Sequence, residues 1–187
     1  MPEAQTLTPA GRRILEAAED LFYERGITAV GVDLIAERSG VTKRTLYNRF
    51  GSKDRLVATY LRERDRRWRS LVRAAVDACD DPAEAVTAPF EALWTWSEAE
   101  VRGCAFINAL AELPDPSHPA RLAAEDQKRW LLDLFDELAT AAGCSEPASL
   151  AARLLVLHEG ALAMRPLMPE ARSDAAALAR ELVRASV

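Results

Sequence analysis

Basic, hydroxyl and amide side chains are concentrated in one short segment of the chain, from Thr42 to Lys53. Lys and Arg neutralise phosphate groups, and hydroxyl, amide and guanidinium groups hydrogen-bond phosphate oxygens and base edges. A set of this kind on one exposed helix predicts contact with a nucleic acid. The predicted contact residues are Thr42, Lys43, Arg44, Thr45, Tyr47, Asn48, Arg49 and Lys53.

The helical spacing of this segment separates an inward from an outward direction. At about 100° per residue, Leu46 and Phe50 lie on the same side of a helix and mark its buried face. Arg44, Thr45 and Asn48 then point away from that face. We expect these three side chains to reach base edges in the major groove, and therefore to select the DNA sequence.

The remaining polar residues of the segment flank the outward face. Lys43, Tyr47 and Arg49 are placed to contact phosphates along the walls of the groove. Thr42 and Lys53 stand at the starts of two predicted helices, where unpaired amide groups favour anions. Contacts of this kind supply affinity without sequence preference.

The residues before this helix fit the first half of a helix-turn-helix. That motif needs a small residue where two helices cross, a glycine in the turn, and an apolar residue behind the recognition helix. Ala36, Gly40 and Leu46 occupy these positions. A further helix precedes them, since Thr8 can cap its start and Gly26 can end it. The N-terminal part of the chain is therefore predicted to be a three-helix domain of this type.

The rest of the chain is also predicted to be helical. Apolar residues recur at helical spacing between Pro and Gly breakers, which predicts an all-α fold of about nine helices with no convincing strand. We expect two domains. Residues 1–51 would form the DNA-binding helix-turn-helix domain, and residues 52–187 a larger C-terminal helical domain.

Charge is distributed unevenly along the chain. Residues 1–73 carry 15 Lys and Arg against 10 Asp and Glu, and the remainder carries 9 against 19. The positive portion includes the predicted DNA-contacting helix, as expected for a protein that faces a polyanion. Glu63 and Asp65 interrupt an arginine-rich stretch beyond the motif, which predicts a solvated or internally paired face there. Its arginines are Arg62, Arg64, Arg66, Arg67, Arg69 and Arg73.

Several functional classes lack the residues that they need. The sequence shows no nucleophile beside a base, no carboxylate cluster at metal-ligand spacing and no glycine-rich phosphate loop, so neither an enzyme nor a cofactor is predicted. Cys79, Cys104 and Cys144 form no C-x-x-C pair, and no cationic neighbour of Cys104 is visible, so no metal site, disulfide or reactive thiol is predicted. Without an apolar stretch of about 18 residues or a signal-peptide pattern, we expect a cytoplasmic protein without membrane contact.

The segment GITAVGVDLIAERSGVTKRTLYNRFGSKDRLV resembles the DNA-binding motif of the tetracycline-repressor (TetR) family of transcriptional regulators. The likeness extends over about residues 8–57 and includes the preceding helix RRILEAAEDLF. It implies that Arg44 and Asn48 occupy variable positions that set the operator sequence. Gly31, where a Ser or Thr cap is common, and Arg49, where His is frequent, depart from the family pattern. Positions that contact DNA in the family correspond to Thr42, Thr45, Tyr47 and Lys53.

The resemblance also implies partners. A member of this family binds double-stranded, palindromic operator DNA as a homodimer, with the last two helices pairing between subunits. Its C-terminal domain, residues 52–187 here, typically binds a small-molecule effector. A repressor released from DNA by such an effector is the function expected for this chain, and a helical protein-binding or architectural module without effector response is the alternative.

Residue types in the C-terminal domain indicate where an effector and a second subunit would bind. Large rings with few polar groups predict a mostly apolar effector, although rings at helical spacing build a core more often than a pocket. The candidate ligand-binding residues are Phe90, Trp94, Phe106, Ile107, Asn108, Trp130 and His158. The penultimate helix is apolar over too broad an arc for a one-sided surface helix. The candidate dimer-interface residues are Leu150, Leu154, Leu157, Ala161, Leu162, Leu178 and Leu182.

Overall fold

A computed structural model describes residues 7–97, 102–168 and 170–187 of the chain. Within these ranges the chain forms nine α-helices and no strand, which confirms the all-α prediction. None of the helices in the described part has the length and apolar character needed to cross a membrane. In chain order the helices are α1 (Pro9–Arg25), α2 (Val32–Ser39), α3 (Lys43–Phe50), α4 (Lys53–Asp77), α5 (Pro82–Ser97), α6 (Ala105–Glu112), α7 (Pro119–Ala141), α8 (Pro147–Met164) and α9 (Ala171–Arg184).

Local signals in the sequence set the ends of the first three helices. Thr8 caps α1, because its Oγ1 accepts the amide N–H of Gly11 at 3.2 Å. Gly40 ends α2 with a φ of +64°, a left-handed conformation that favours glycine. Thr42 caps α3, and its Oγ1 accepts the amide N–H of Thr45 at 3.2 Å. The turn between α2 and α3 is therefore defined by one glycine and one cap.

The chain forms two compact units, and both α4 and α7 contribute to each of them. The first unit contains the described residues up to Arg64 together with Ala105–Glu125. The second contains the described residues of Asp65–Cys104 and of Asp126–Val187. These units follow the packing of the helices, and the functional division after residue 51 stays a prediction.

Apolar side chains from α1 to α4 fill the core of the first unit. The rings of Phe22 on α1 and Tyr60 on α4 lie 5.9 Å apart, measured between centroids. Each fully buried aliphatic side chain contributes roughly 1.5–3 kcal/mol relative to an exposed one. The side chains without solvent exposure include Ile14, Leu21, Ile35, Leu46, Leu56 and Leu61.

The loop between α6 and α7 is held within the first unit by His118. Its Nδ1 accepts the amide N–H of Ala120 at 3.1 Å and so caps the start of α7. Because Nδ1 is the acceptor, Nε2 carries the proton, and it contacts Asp54 Oδ1 at 3.4 Å. Arg121 donates from its guanidinium to the carbonyl of Leu113 at 3.0 Å. These contacts connect the loop to the start of α4 and to the end of α6.

Two arginines of the arginine-rich stretch pair within the chain, as predicted. Arg64 is 6% exposed and its Nη1 lies 3.2 Å from Glu19 Oε1 in the first unit. In the second unit, Arg69 Nη2 lies 2.7 Å from Asp65 Oδ2 and 2.8 Å from Asp126 Oδ2. Part of the positive charge counted in the sequence is therefore neutralised internally.

The core of the second unit is rich in rings and leucines. Helices α5, α8 and α9 pack on one another there. Phe90 on α5 and Phe135 on α7 contact each other with ring centroids 5.9 Å apart. Further buried members of this core are Val72, Leu93, Leu131, Leu150, Leu154 and Val183.

Two glycines that flank α2 provide a matched test of the turn. Gly40 has a φ of +64° and Gly31 a φ of −85°, and a Cβ added at either position meets no atom within 4 Å. Gly40→Ala should lower the free energy of unfolding by about 1–2 kcal/mol through backbone strain alone. Gly31→Ser should raise it by roughly a few tenths of a kcal/mol, because α2 lacks a side-chain cap. Denaturant unfolding measures both, and equal effects at the two positions would contradict this turn.

Candidate nucleic-acid interface

Helix α3 is held by its apolar face and exposes its polar face. Leu46 has no exposed surface and Phe50 is 8% exposed, as the spacing predicts. Arg44 and Asn48 are exposed on the same helix, and 44% of the Tyr47 surface is exposed. The helix therefore presents guanidinium, amide and phenol groups to solvent. Their contacts with bases and phosphates stay predictions.

The two threonines at the start of α3 interact with each other. Thr42 Oγ1 and Thr45 Oγ1 lie 3.0 Å apart, in addition to the cap that Thr42 makes on the Thr45 amide. Thr45 is half-buried, so it lies less far outward than its position on the helix predicts. Because a hydroxyl has one proton and two lone pairs, both side chains keep further hydrogen-bonding capacity for a DNA contact.

The basic residues flanking the outward face differ in their surroundings. Arg49 is exposed near the end of α3. Lys43 forms an ion pair with Asp33 of α2, and 51% and 75% of their side-chain surfaces are exposed. An exposed pair of this kind contributes at most about 1 kcal/mol. A phosphate group can therefore replace the Asp33 carboxylate at little cost.

Lys53 is the first residue of α4 and is half-buried. Burial lowers the pKa of Lys53, while the carboxylates of Asp54 and Glu112 act in the opposite direction. The ammonium group thus lies at a helix start beside two negative charges. A DNA phosphate that contacts Lys53 has to compete with them.

A carboxylate that sequence reasoning missed lies close to this lysine. Glu112, the last residue of α6, accepts the amide N–H of Thr28 at 2.8 Å and its hydroxyl at 3.1 Å. The two residues are 84 positions apart in the sequence, and no motif or periodicity links them. The pair connects α6 to the segment between α1 and α2. It therefore places an acidic group within the same unit as the predicted DNA-contacting helix.

The predicted effector residues are divided between the two units. Phe106, Ile107 and Asn108 lie on α6 in the first unit, and 42% of Ile107 is exposed. Phe90, Trp94, Trp130 and His158 belong to the second unit, where Phe90 and His158 contact each other with ring centroids 5.4 Å apart. Trp130 lies under the Arg69 guanidinium, 4.8 Å from it. Ligand binding by these residues stays a prediction.

Charged groups occur inside the second unit next to its aromatic core. Lys128 Nζ lies 2.6 Å from Glu159 Oε1, and His158 Nδ1 lies 3.3 Å from the same oxygen. Burial alone would raise the pKa of Glu159, but the His158 hydrogen bond and the Lys128 charge lower it to about 2. Glu159 is therefore a carboxylate at neutral pH.

Lys128 also has a sulfur neighbour. Burial opposes the charge of Lys128, yet the Cys104 sulfur and the Glu159 carboxylate raise its pKa above the ordinary value. The sequence does not show that Lys128 lies near Cys104, because Lys128 is on α7 and Cys104 precedes α6. This neighbour is therefore visible only in the folded chain.

Four of the predicted dimer residues pack inside the core of the chain itself. These are Leu150, Leu154, Ala161 and Leu162. Leu157 and Leu182 are half-buried, and Leu178 is 45% exposed. Because the apolar arc of α8 is broad, its pattern does not tell which part of the arc the rest of the chain covers. The exposed side carries Ala148, Ala152, Val156, Gly160 and Ala163, which shifts the predicted contact to that side.

Comparison with known proteins gives a consistent set of relatives. A family model described as bacterial regulatory proteins, tetR family, matches residues 14–60. Among solved structures, the chain is similar to SCO4454, a TetR-family transcriptional regulator from Streptomyces coelicolor. The two share 33% sequence identity and a TM-score of 0.88, with 95% of each chain covered.

Two further relatives are similar over most of this chain. The HTH-type transcriptional regulator LmrA of Bacillus subtilis (strain 168) is 29% identical over 148 residues, which are 77% of this chain and 78% of that protein. The HTH-type transcriptional activator FasR of Mycolicibacterium smegmatis is 32% identical over 125 residues, which are 66% of this chain and 57% of that protein. All three relatives are transcriptional regulators.

The internal ion pair of the second unit predicts a pH dependence. The pKa of Glu159 is about 2 in the folded chain against an ordinary value of 4.5, so the group stabilises the fold above pH 4.5. This contribution, on the order of 3 kcal/mol, is lost as the pH falls toward 2. Denaturant unfolding between these pH values should show a flatter profile for Glu159→Gln than for the unmodified chain. The exposed Glu181→Gln serves as control, and a Glu159→Gln profile parallel to that control would contradict the assignment.

Proposed function

This chain belongs to the TetR family of bacterial transcriptional regulators, and on that basis we propose that it is a homodimeric repressor of palindromic operators, released by a small effector. The observation that carries the proposal is the orientation of α3, which is anchored by Leu46 and Phe50 and exposes Arg44 and Asn48. Residues 1–51 serve DNA binding in this proposal. Residues 52–187 serve effector binding and dimerisation.

Two side chains on α3 select the operator sequence. A guanidinium forms two hydrogen bonds with the major-groove edge of guanine, and a carboxamide does so with adenine. Arg44 and Asn48 carry these groups on the exposed side of the helix. Lys43, Tyr47 and Lys53 contact phosphates, which fixes the register of the helix on the duplex.

The dimer forms through the exposed sides of α8 and α9. Val156 is 74% exposed and Leu178 is 45% exposed, so both helices present apolar side chains to solvent that a second subunit could cover. Gly160 and Ala163 on the same side of α8 allow a second helix to approach closely. A homodimer built on this surface carries two recognition helices, which must lie about 34–36 Å apart to read both half-sites.

Effector binding in the second unit is coupled to DNA binding through α4. This helix begins at Lys53, directly after α3, and continues from the first unit into the second. A ligand that prefers one tilt of α4 changes the spacing of the two recognition helices. The dimer acts in the cytoplasm, where bacterial DNA lies. It represses transcription, because a bound dimer by itself blocks access to the duplex. Activation would require an additional contact surface on the protein.

Operator selection on randomised DNA separates base contacts from phosphate contacts. Arg44→Ala or Asn48→Ala should change the preferred bases and cost about 1–3 kcal/mol at the affected positions. Lys53→Ala should weaken every sequence alike and reduce the slope of log affinity against log salt by about 1. Unchanged base preference in both α3 variants would mean that another face of the protein reads the operator.

A matched pair of valines tests the dimer surface. Val156 on α8 and Val187 at the C-terminus are 74% and 73% exposed, so neither supports the core of a single chain. Val156→Glu should convert the dimer to a monomer at micromolar concentration, because it buries a charge at the two-fold axis. Val187→Glu should remain dimeric. Sedimentation velocity distinguishes these outcomes, and a Val156→Glu protein that still sediments as a dimer contradicts this surface.

A further inference from the structure

A histidine lies enclosed by aromatic rings in the second unit. His158 on α8 is 2% exposed. Its ring centroid lies 5.4 Å from that of Phe90, 5.8 Å from that of Trp68 and 6.2 Å from that of Phe135. An imidazole in such surroundings needs hydrogen-bond partners for both of its nitrogens, because little water reaches it.

The neighbouring carboxylate determines which nitrogen of His158 carries the proton. Glu159 Oε1 lies 3.3 Å from Nδ1, and the depressed pKa of Glu159 keeps that carboxylate ionised. An ionised carboxylate only accepts, so Nδ1 is the donor. In the neutral ring, Nε2 is then an acceptor with a free lone pair. Within the described chain, Nε2 is buried and has no hydrogen-bond partner.

The adjacent indole of Trp68 carries a buried hydrogen-bond donor that no described residue accepts from. Trp68 on α4 is 4% exposed, and its Nε1–H can only donate. No group among the described residues accepts from it. The two rings are neighbours but do not hydrogen-bond each other. One buried donor and one buried acceptor therefore lack partners side by side, an arrangement that costs stability unless a further molecule satisfies both.

A hydroxyl group is the simplest chemistry that satisfies both nitrogens with one atom. Its oxygen accepts from the indole N–H and donates its proton to the imidazole lone pair. A carbonyl or an ether only accepts, and an ammonium group only donates. A carboxylate is excluded by charge as well, since Glu159 is already ionised beside His158. Aromatic walls favour a ligand whose body is itself a flat apolar ring.

The cluster also has a side that reaches the surface. Trp96 on α5 packs edge-on against Trp68 with ring centroids 5.7 Å apart, and it is half-buried. The half-buried ring of Trp96 is therefore the side of the cluster on which we place the body of a ligand ring.

We propose that the effector is a phenol-type molecule, an aromatic ring with a hydroxyl group whose oxygen bridges Trp68 Nε1 and His158 Nε2. The inference rests on the effector response proposed above and specifies its ligand class. A water molecule has the same bridging capacity. The experiment therefore has to separate a ligand hydroxyl from a bound water.

Three probes with nearly the same ring isolate the hydroxyl: 2-naphthol, its methyl ether 2-methoxynaphthalene, and naphthalene. Isothermal titration calorimetry of the full chain should show that 2-naphthol binds at least about tenfold more tightly than the ether, because only the phenol both donates and accepts. This comparison uses the unmodified protein and does not depend on the folding of a variant. Equal affinities for 2-naphthol and its ether would overturn the proposal.

Variants then assign the contact to the two nitrogens. His158→Phe and Trp68→Phe each keep an aromatic ring and remove one hydrogen-bonding nitrogen. His158→Phe removes the acceptor that only the phenol can use, so it should abolish the preference for 2-naphthol over its ether. Trp68→Phe removes a donor that both probes can use, so it should weaken both and keep the preference. Tyr23→Phe is the control, since it removes one polar group from an aromatic ring of the first unit, where Tyr23 lies under the Arg64 guanidinium, and it should keep the preference. A crystal structure with 2-naphthol that shows a water between the nitrogens and the phenol elsewhere would also refute the bridge.

An operator-release assay distinguishes failure of this inference from failure of the proposed function. If 2-naphthol binds through Trp68 and His158 but leaves operator affinity unchanged, the hydroxyl site stands and the effector response fails. If compounds without a hydroxyl release the operator equally from the unmodified chain and from His158→Phe, the response stands and the phenol assignment fails. In the expected case, 2-naphthol lowers operator affinity, and the operator lowers 2-naphthol affinity by the same factor.

Discussion

The burial of Leu46 and Phe50 is the constraint on which the DNA-binding side of this protein depends. A helix of eight residues has no stable orientation of its own, and these two side chains fix its rotation against the core of the first unit. Because one residue corresponds to about 100° of rotation, loss of that anchor would turn Arg44 and Asn48 away from the groove that we propose they enter. Gly40 and the Thr42 cap fix the position of the helix along its axis. Apolar packing thus determines where polar groups meet DNA.

In the second unit, the ion pair between Lys128 and Glu159 orients neighbouring polar groups. Compared with apolar residues of similar volume, two buried charges that satisfy each other add little net stability, but removing one partner is costly. The pair between Lys128 and Glu159 favours the ionised form of Glu159 over the protonated form, and it also orients that carboxylate. It keeps Glu159 ionised, and the ionised carboxylate determines the tautomer of His158. The polarity of the aromatic cluster therefore follows from a contact at its edge.

The sequence predicted the helices well and the long-range polar contacts poorly, for a physical reason. Helix ends depend on neighbours within four residues, so the Thr8 and Thr42 caps and the Gly40 turn are visible as local patterns. The hydrogen bonds from Thr28 to Glu112 join residues 84 positions apart, and no residue pattern near either position indicates the other. On helix α8 the broad apolar arc left open which part of it packs inside the chain and which part is exposed. Only the packed structure shows that Leu154 faces the core and Val156 faces solvent.

Asp33 pairs with the Lys43 ammonium in the free protein, so in the proposed complex a DNA phosphate competes with that carboxylate. In the proposed complex, this competition offsets the attraction of Lys43 for any phosphate by at most about 1 kcal/mol. On random sequence no base contact compensates for that loss, and most encounters of a regulator with chromosomal DNA are of this kind. An acidic residue at the edge of the proposed interface would therefore shorten the time spent on wrong sites. The lifetime of the final complex is left to the base contacts.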